Sequence, residues 1–414
     1  MRTKHKLFVD KVIGLPLSYS VNAAARILGF FFNMDHSLDK QFKTIAVSKF
    51  IGLGSIIQAT PLLQTLRINY PEAKLIFITN EPNKKLFDHI PFVDEVLTLS
   101  DKNISSLIST TLSLICRLWN RKIGLYIDLE IYSNFSSIIT TFSLAKNRLG
   151  FFKSDKTYRM GMYTHMMFFN MKAPISEIYL QFARLSGCKE IVSELYQLKI
   201  GEDKSRAKAE RIKSIGLNPS DKYIVVNPNA SDLRIERRWD IKNFISLIER
   251  IIIEMPDYKI CLIGSKSEMQ HVGMITHQIK DKHQLIDFSG KLTFAELIFL
   301  INNSELIITN DTGPMHIAFA LRKKTVALFG PCSPEHYGNV ENCFPIYKNI
   351  YCSPCVHEFI IPMCKGDNQC MKKIMIEEVW QTILQAINKS EHPMQTPEIV
   401  YTNEFINPLG VVSR

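Results

Sequence analysis

Short apolar runs rich in β-branched residues alternate along this chain with longer stretches of helical periodicity, the pattern of βαβ units around a parallel sheet. The series runs twice. In the first half the predicted strands are Thr44 to Phe50, Leu75 to Thr79, Glu95 to Leu99 and Gly124 to Leu129; in the second they are Tyr223 to Asn227, Lys259 to Ile263, Leu285 to Phe288, Leu306 to Thr309 and Thr325 to Phe329. The polar stretch Ile200 to Asp221 separates the halves and reads as a helix plus linker. The expected fold class is therefore α/β, with two doubly wound parallel-sheet domains. Ligands of such sheets bind at the carboxyl ends of the strands, which is where the chemistry is sought.

Length and composition narrow this picture. At 414 residues the chain exceeds what one core usually organises, and 46% hydrophobic with 22% charged residues excludes collagen, coiled coil and wholesale disorder. Lys and Arg outnumber Asp and Glu by 50 to 40, a net charge of +10 that points to anionic partners: phosphates, nucleic acid or anionic lipid. Nine cysteines fall far short of disulfide density, which favours a reducing compartment. No uninterrupted apolar run reaches the roughly 18 residues of a spanning helix. In the opening segment Asp10, Lys11 and Arg26 interrupt any signal-peptide core, so the segment is expected to be retained. Six Lys/Arg against three acids over residues 1–40, with the end Gly29-Phe30-Phe31-Phe32, suit an anionic membrane surface; a helix packed on the body is the alternative.

The most informative segment is LIITNDTGPMHIAFALRKKTVALFG, Leu306 to Gly330. A buried strand runs into the turn Asn310-Asp311-Thr312-Gly313, and Pro314 opens a helix, a position where its missing N–H is no loss. A helix N-terminus at a strand's carboxyl end attracts a phosphate through unpaired amides and the positive dipole end. Thr312 adds a hydroxyl and His316 an imidazole. Capping of the helix by Asp311 or Thr312 is the alternative. Arg237 and Arg238, ahead of Trp239, supply charge, since a guanidinium fork matches phosphate oxygens. No Asp-x-Asp pair on a strand end recommends a catalytic Mg²⁺ site.

Four ordered motifs now carry a resemblance. NDTGPMHIAFAL followed by TVALFGP, IGLGSIIQATPLLQTLR (Ile51 to Arg67), NPNASDLRIERRW (Asn227 to Trp239) and DFSGKLTFAEL (Asp287 to Leu297) are similar to signatures of family 9 glycosyltransferases, the heptosyltransferase-like group. The match covers roughly residues 43–390 in the right order. It implies a GT-B fold, with two Rossmann-like domains facing a central cleft. The domains would be a basic and apolar helical extension (1–42), an acceptor domain (43–205), a nucleotide-sugar domain (206–390) and a tail (391–414). It further implies inverting, metal-independent transfer of a sugar, typically heptose, from an ADP-heptose-like donor to a lipopolysaccharide core glycolipid, with no cofactor for catalysis and no nucleic acid partner. The expected location is cytoplasmic, peripheral to the inner face of a bacterial inner membrane. By the same resemblance Arg237 is the phosphate contact and Asn229 lies in the second-domain phosphate loop.

An inverting transferase needs a carboxylate to take the acceptor hydroxyl's proton. The family usually has an Asp directly after the last Gly of its first turn, and here that position is Ser55. Asp128 and Glu130, at the end of the fourth strand, are the replacement candidates; Glu130 is preferred as lying further out, with Asp128 in support. Gly52 and Gly54 let the backbone turn tightly, and Ser55 and Gln58 can donate there. The segment Lys146 to Lys172, with six Lys/Arg and interleaved aromatics, offers Lys153 and Arg159 to a phosphorylated glycolipid acceptor. Lys291 and Glu296 are candidates for the nucleotide pocket. With Ser55 in the base position, a non-catalytic sugar-nucleotide-binding scaffold is the competing reading, and a nucleotide-sugar epimerase of the same fold is a third.

Cys352, Cys355, Cys364 and Cys370 form a C-x2-C-x8-C-x5-C cluster within 352–370. A first pair at two-residue spacing is the usual half of a zinc site, so the expectation is a structural cross-link, zinc or disulfide, with His357 as a substitute ligand.

Overall fold

The computed structural model describes residues 8–32, 34–200, 205–230, 234–338, 340–356 and 364–388. The tail expected over 391–414 and His357 lie outside them. The chain separates into two compact units between Tyr196 and Gln197, just ahead of the polar stretch expected to divide it.

In the first unit the strands β1 (Thr44–Ser48), β2 (Lys74–Asn80), β3 (Glu95–Leu99), β4 (Leu125–Asp128), β5 (Asn147–Phe152) and β6 (His165–Phe168) form one parallel sheet in the order β3-β2-β1-β4-β5-β6. Strand order reverses between β1 and β4, where Ser48 stands opposite Asp128. Parallel strands are covered on both faces and so read as continuous apolar runs. That is why β1, β2 and β4 were legible in the sequence. On one side of the sheet pack α1 (Leu15–Phe31), α4 (Ile104–Arg121) and α5 (Asn134–Phe142); among the other helices are α2 (Leu53–Gln58), α3 (Thr60–Asn69) and α6 (Ile175–Leu185), which pack on each other.

The N-terminal segment is tied into this unit by polar contacts. The Asp10 carboxylate accepts from the backbone N–H groups of Asn134 (3.0 Å) and Phe135 (2.7 Å), satisfying amides at the start of α5. Asn22 Oδ1 accepts from the Gly161 N–H at 2.7 Å, and a side chain at Gly161 would collide with Asn22.

The basic and aromatic segment 146–172 is the one whose cations and rings suit a phosphorylated glycolipid acceptor. It contains β5 and β6, and Phe151, Tyr163 and Phe169 are buried. Phe151 and Phe169 fill the core between the sheet and its helices, as ring contacts of Phe151 with Phe169 and Phe182 show.

The second unit repeats the plan. Strands β7 (Lys222–Asn227), β8 (Tyr258–Leu262), β9 (Leu285–Asp287), β10 (Leu306–Asn310), β11 (Thr325–Phe329) and β12 (Cys343–Tyr347) form a parallel sheet in the order β12-β11-β10-β7-β8-β9. The helices are α7 (Ser205–Lys213), α8 (Ile241–Glu254), α9 (Met269–Gln278), α10 (Phe294–Asn302), α11 (Gly313–Ala320), α12 (Pro334–Tyr337), α13 (Gln369–Lys372) and α14 (Ile376–Asn388). α10 opens on a capping box, Thr293 bonding the Glu296 N–H and Glu296 reaching back. β12 was missed because Pro345 sits inside it; as an edge strand it tolerates a residue without N–H. The core gathers Ile224, Phe244, Ile248, Ile308, Val326 and Ile383 around Trp239.

Candidate active site

Each unit carries a polar cluster at the carboxyl ends of its strands, beside the place where strand order reverses, as expected of doubly wound sheets. In the second unit the cluster lies at the ends of β7 and β10. Asn227 Nδ2 donates to Thr309 Oγ1 (2.9 Å) and to Thr312 Oγ1 (2.7 Å), clamping the turn before α11. Asn310 holds the next loop, its amide donating to the Asn229 carbonyl and its Oδ1 accepting from the Trp239 N–H. Thr312 is the N-cap of α11 but makes no side-chain cap bond, so neither it nor Asp311 plays the capping role weighed as the alternative. The Pro314 ring occupies the first turn as expected.

Arg237 reaches this turn from a short 3-10 turn, Ile235–Arg237. Its Nη1 donates to the Asp311 carbonyl at 3.1 Å and lies 3.3 Å from the Asp311 carboxylate. Burial alone lowers the guanidinium pKa, but the Asp311 charge outweighs it and holds Arg237 cationic. Arg238 donates to the Ala230 carbonyl. The Nε groups of Arg237 and Arg238 and Oδ1 of Asn229 are buried with no hydrogen-bond partner among the described residues. Buried polar atoms are almost always paired. The orphaned guanidinium N–H of Arg237, beside a helix start without a side-chain cap, is suited to an anion with several acceptor oxygens.

His316, on α11, is buried with Nε2 at 3.9 Å from Asp311. Burial, against the opposing pull of Asp311, lowers its pKa from 6.5 to about 4. It is therefore a neutral imidazole at pH 7 and contributes a hydrogen-bonding group rather than charge. An unfolded chain takes up a proton on this residue near 6.5 and the folded one near 4, so its contribution is complete above pH 6.5 and is lost as pH falls through 4. Comparing urea unfolding at pH 7 and pH 4, His316→Gln should lose less stability than the parent by about 3 kcal/mol.

The first unit's cluster surrounds the turn after β1. Gly52 has φ +91, in the region that favours glycine, which lets the chain fold back into α2. Glu130, expected as an outlying strand-end carboxylate, is instead almost fully buried and lies beyond the end of β4. It draws this turn together: Lys49 Nζ donates to Oε2 at 2.9 Å, and the amides of Phe50 and Ile51 donate to Oε1 at 2.8 and 2.9 Å. Lys49, which no sequence motif singled out, is itself buried; burial lowers its pKa, but Glu130 outweighs this and keeps it charged. Ser55 sits beside Gly52, while Gly54 and Gln58 are buried in α2.

Asp128 lies deeper. It accepts from Ser48, Ser136, Thr140 and Tyr163 hydroxyls and from the Glu130 N–H, and burial pushes its carboxyl upward. Its surroundings are protein on every side described, which fits support of Glu130 rather than contact with a substrate.

Of the two basic residues expected on an acceptor loop, Arg159 is 1% exposed and is spent on the carbonyls of Ile131 and Ser133, fixing the loop after Glu130. Lys153 pairs with Asp155 at 3.4 Å and lies over the Tyr132 ring. Lys156 donates to the Tyr132 carbonyl, and burial brings its pKa to about 8. Lys291 donates to the Asp287 carbonyl and Glu296 is spent on the capping box, so both stabilise the β9–α10 connection.

Cys352, Cys355, Cys364 and Cys370 are, like the other five cysteines, unbridged in this structure, and among the described residues no three His, Cys, Asp or Glu form a metal-binding group. Cys370 packs into the core near Gly330, where a side chain on the glycine would collide with the neighbouring Met371.

Residues 114–361, well over half of the chain, match the family model described as glycosyltransferase family 9 (heptosyltransferase). The chain is 26% identical over 298 residues to lipopolysaccharide heptosyltransferase 1 of Campylobacter coli, covering 69% of this chain and 83% of that protein. Its fold superposes on a family 9 glycosyl transferase from Veillonella parvula with TM-score 0.70 and 21% identity, covering 86% of this chain and all of that one. It superposes on E. coli ADP-heptose lps heptosyltransferase II with TM-score 0.67 and 20% identity, covering 83% and 98% of the two chains. Two six-stranded parallel sheets with flanking helices are the GT-B architecture that the motifs implied. The chain is accordingly a glycosyltransferase, and it belongs to glycosyltransferase family 9, the heptosyltransferase family.

Proposed function

We propose that this enzyme transfers heptose, with inversion, from an ADP-heptose-like donor to a lipopolysaccharide core glycolipid. The observation that carries the donor half is the cluster at Asp311: the buried, unpartnered Nε–H of Arg237 beside the start of α11, which has no side-chain cap. Cleaving a glycosyl-phosphate bond leaves charge on the departing diphosphate, and fixed cations and amides that need not reorganise stabilise that charge most effectively. These groups supply such stabilisation without calling on a metal.

The acceptor half rests on Glu130. As the acceptor oxygen attacks the anomeric carbon, its proton passes to a carboxylate while the carbon–oxygen bond to the diphosphate breaks. Glu130 is the carboxylate that the first unit places at the glycine turn where Ser55 replaces the family's acid. Two amides and Lys49 fix its orientation. Asp128 keeps the loop in place beneath it. The proposed location is the inner face of a bacterial inner membrane, where such acceptors are built; no helix among the described residues is long and apolar enough to cross a membrane.

Incubating the protein with ADP-heptose and a heptose-free core acceptor should release ADP and lengthen the acceptor only when both are present. Altered sugar formed without acceptor would replace this reading with isomerisation. Donor binding without turnover would leave a scaffold.

A further inference from the structure

We infer that α1, α4 and α5 form a docking face for an anionic lipid bilayer. The inference deepens the glycolipid reading above, naming the surface by which the first unit would lie against the membrane that holds its acceptor.

The three helices are neighbours: α1 packs on α5, and α5 on α4. Their outward positions are apolar to an unusual degree. On α4, Ile104, Ile108 and Leu112 recur every fourth residue, each 55–60% exposed, and Trp119 continues the line. The Trp119 indole N–H bonds the Phe142 carbonyl at 2.6 Å, joining that stripe to the end of α5, where Phe142 and Leu144 are also exposed. On α1 the outer side carries Leu17, Ile27, Leu28 and Phe31, and it ends at Phe30 and Phe32, which are 84% and 64% exposed. An aqueous surface seldom carries so extended an apolar patch unless something covers it.

Charge selects the occupant. Between residues 104 and 146 the only acids are Asp128 and Glu130, both buried, whereas Arg117, Lys122 and Lys146 are exposed. On the N-terminal segment Lys11 and Arg26 are exposed, and its single acid before Asp35, Asp10, is turned onto the amides of α5. A face of aromatic and aliphatic side chains edged by cations, with its acids withdrawn, matches acyl chains beneath anionic headgroups. A second copy would bring cations against cations.

The test is co-sedimentation of the full chain with vesicles of phosphatidylcholine alone or with one third phosphatidylglycerol. Binding is expected with the anionic vesicles and to fall at least about tenfold in Phe30→Ser/Phe31→Ser/Phe32→Ser and in Ile108→Ser/Leu112→Ser. Lys11→Gln/Arg26→Gln/Arg117→Gln should erase the preference for anionic lipid. Melting temperature and transfer to a deacylated, water-soluble acceptor should stay at parental levels in every variant, which separates this inference from the assignment of the reaction. Parental vesicle binding by both apolar variants overturns the inference. So does a parental dimer that those variants convert to monomer, since the face would then be an interface between copies.

Discussion

Arg237→Met is expected to abolish measurable ADP binding and to cost about 3–5 kcal/mol of folding stability. Both effects come from one geometry. The Asp311 side chain is 1% exposed, and among the described residues the guanidinium 3.3 Å away is its only ion-pair partner of fixed charge. Removing that partner leaves a buried carboxylate uncompensated, which is far costlier than never having built the pair. The same guanidinium carries the orphaned Nε that the diphosphate is proposed to satisfy. Arg237→Lys should recover much of the stability and little of the affinity, because an ammonium keeps the charge and loses the planar fork. Urea unfolding and calorimetric titration with ADP read the two quantities separately. If Arg237→Met binds ADP as the parent does, the diphosphate does not sit at this turn.

The second large effect is expected at Lys49 and Glu130. Lys49→Met should destabilise the first unit by about 3–5 kcal/mol, whereas Lys49→Met/Glu130→Gln should cost less than the two single changes added together, since each single change strands a buried partner. Glu130→Gln keeps the shape of the side chain and an oxygen for the amides of Phe50 and Ile51. As the proposed base it should lose about 10²–10⁴ in kcat while ADP binding by the second unit is unchanged. Transfer at the parental rate in a folded Glu130→Gln protein would move the base elsewhere.

The strands were legible where burial on both faces wrote an uninterrupted apolar run, as in β10 and β11, and the donor turn was legible because Asn310 to Pro314 combines turn, cap and helix-start residues in five positions. β5 and β6 escaped because their aromatic residues stand among cations; composition alone cannot tell a ring that fills a core from one that stacks on a ligand. Arg159 escaped in the same way, since its role depends on carbonyls that the loop after Glu130 brings to it from 26–28 residues away. Lys49 left no signal at all. Its significance lies in a partner 81 positions along the chain, and only the pairing of β1 with β4 brings the two together.

Trp239 joins two parts of the second unit: its amide bonds Asn310 at the head of the donor turn, and its indole N–H bonds the Ile374 carbonyl at 3.0 Å. Indole emission responds to the polarity and hydrogen bonding around the ring. The protein thus carries its own optical gauge, in which filling the anion cradle or loosening the final helices would register as a shift in fluorescence without any attached dye.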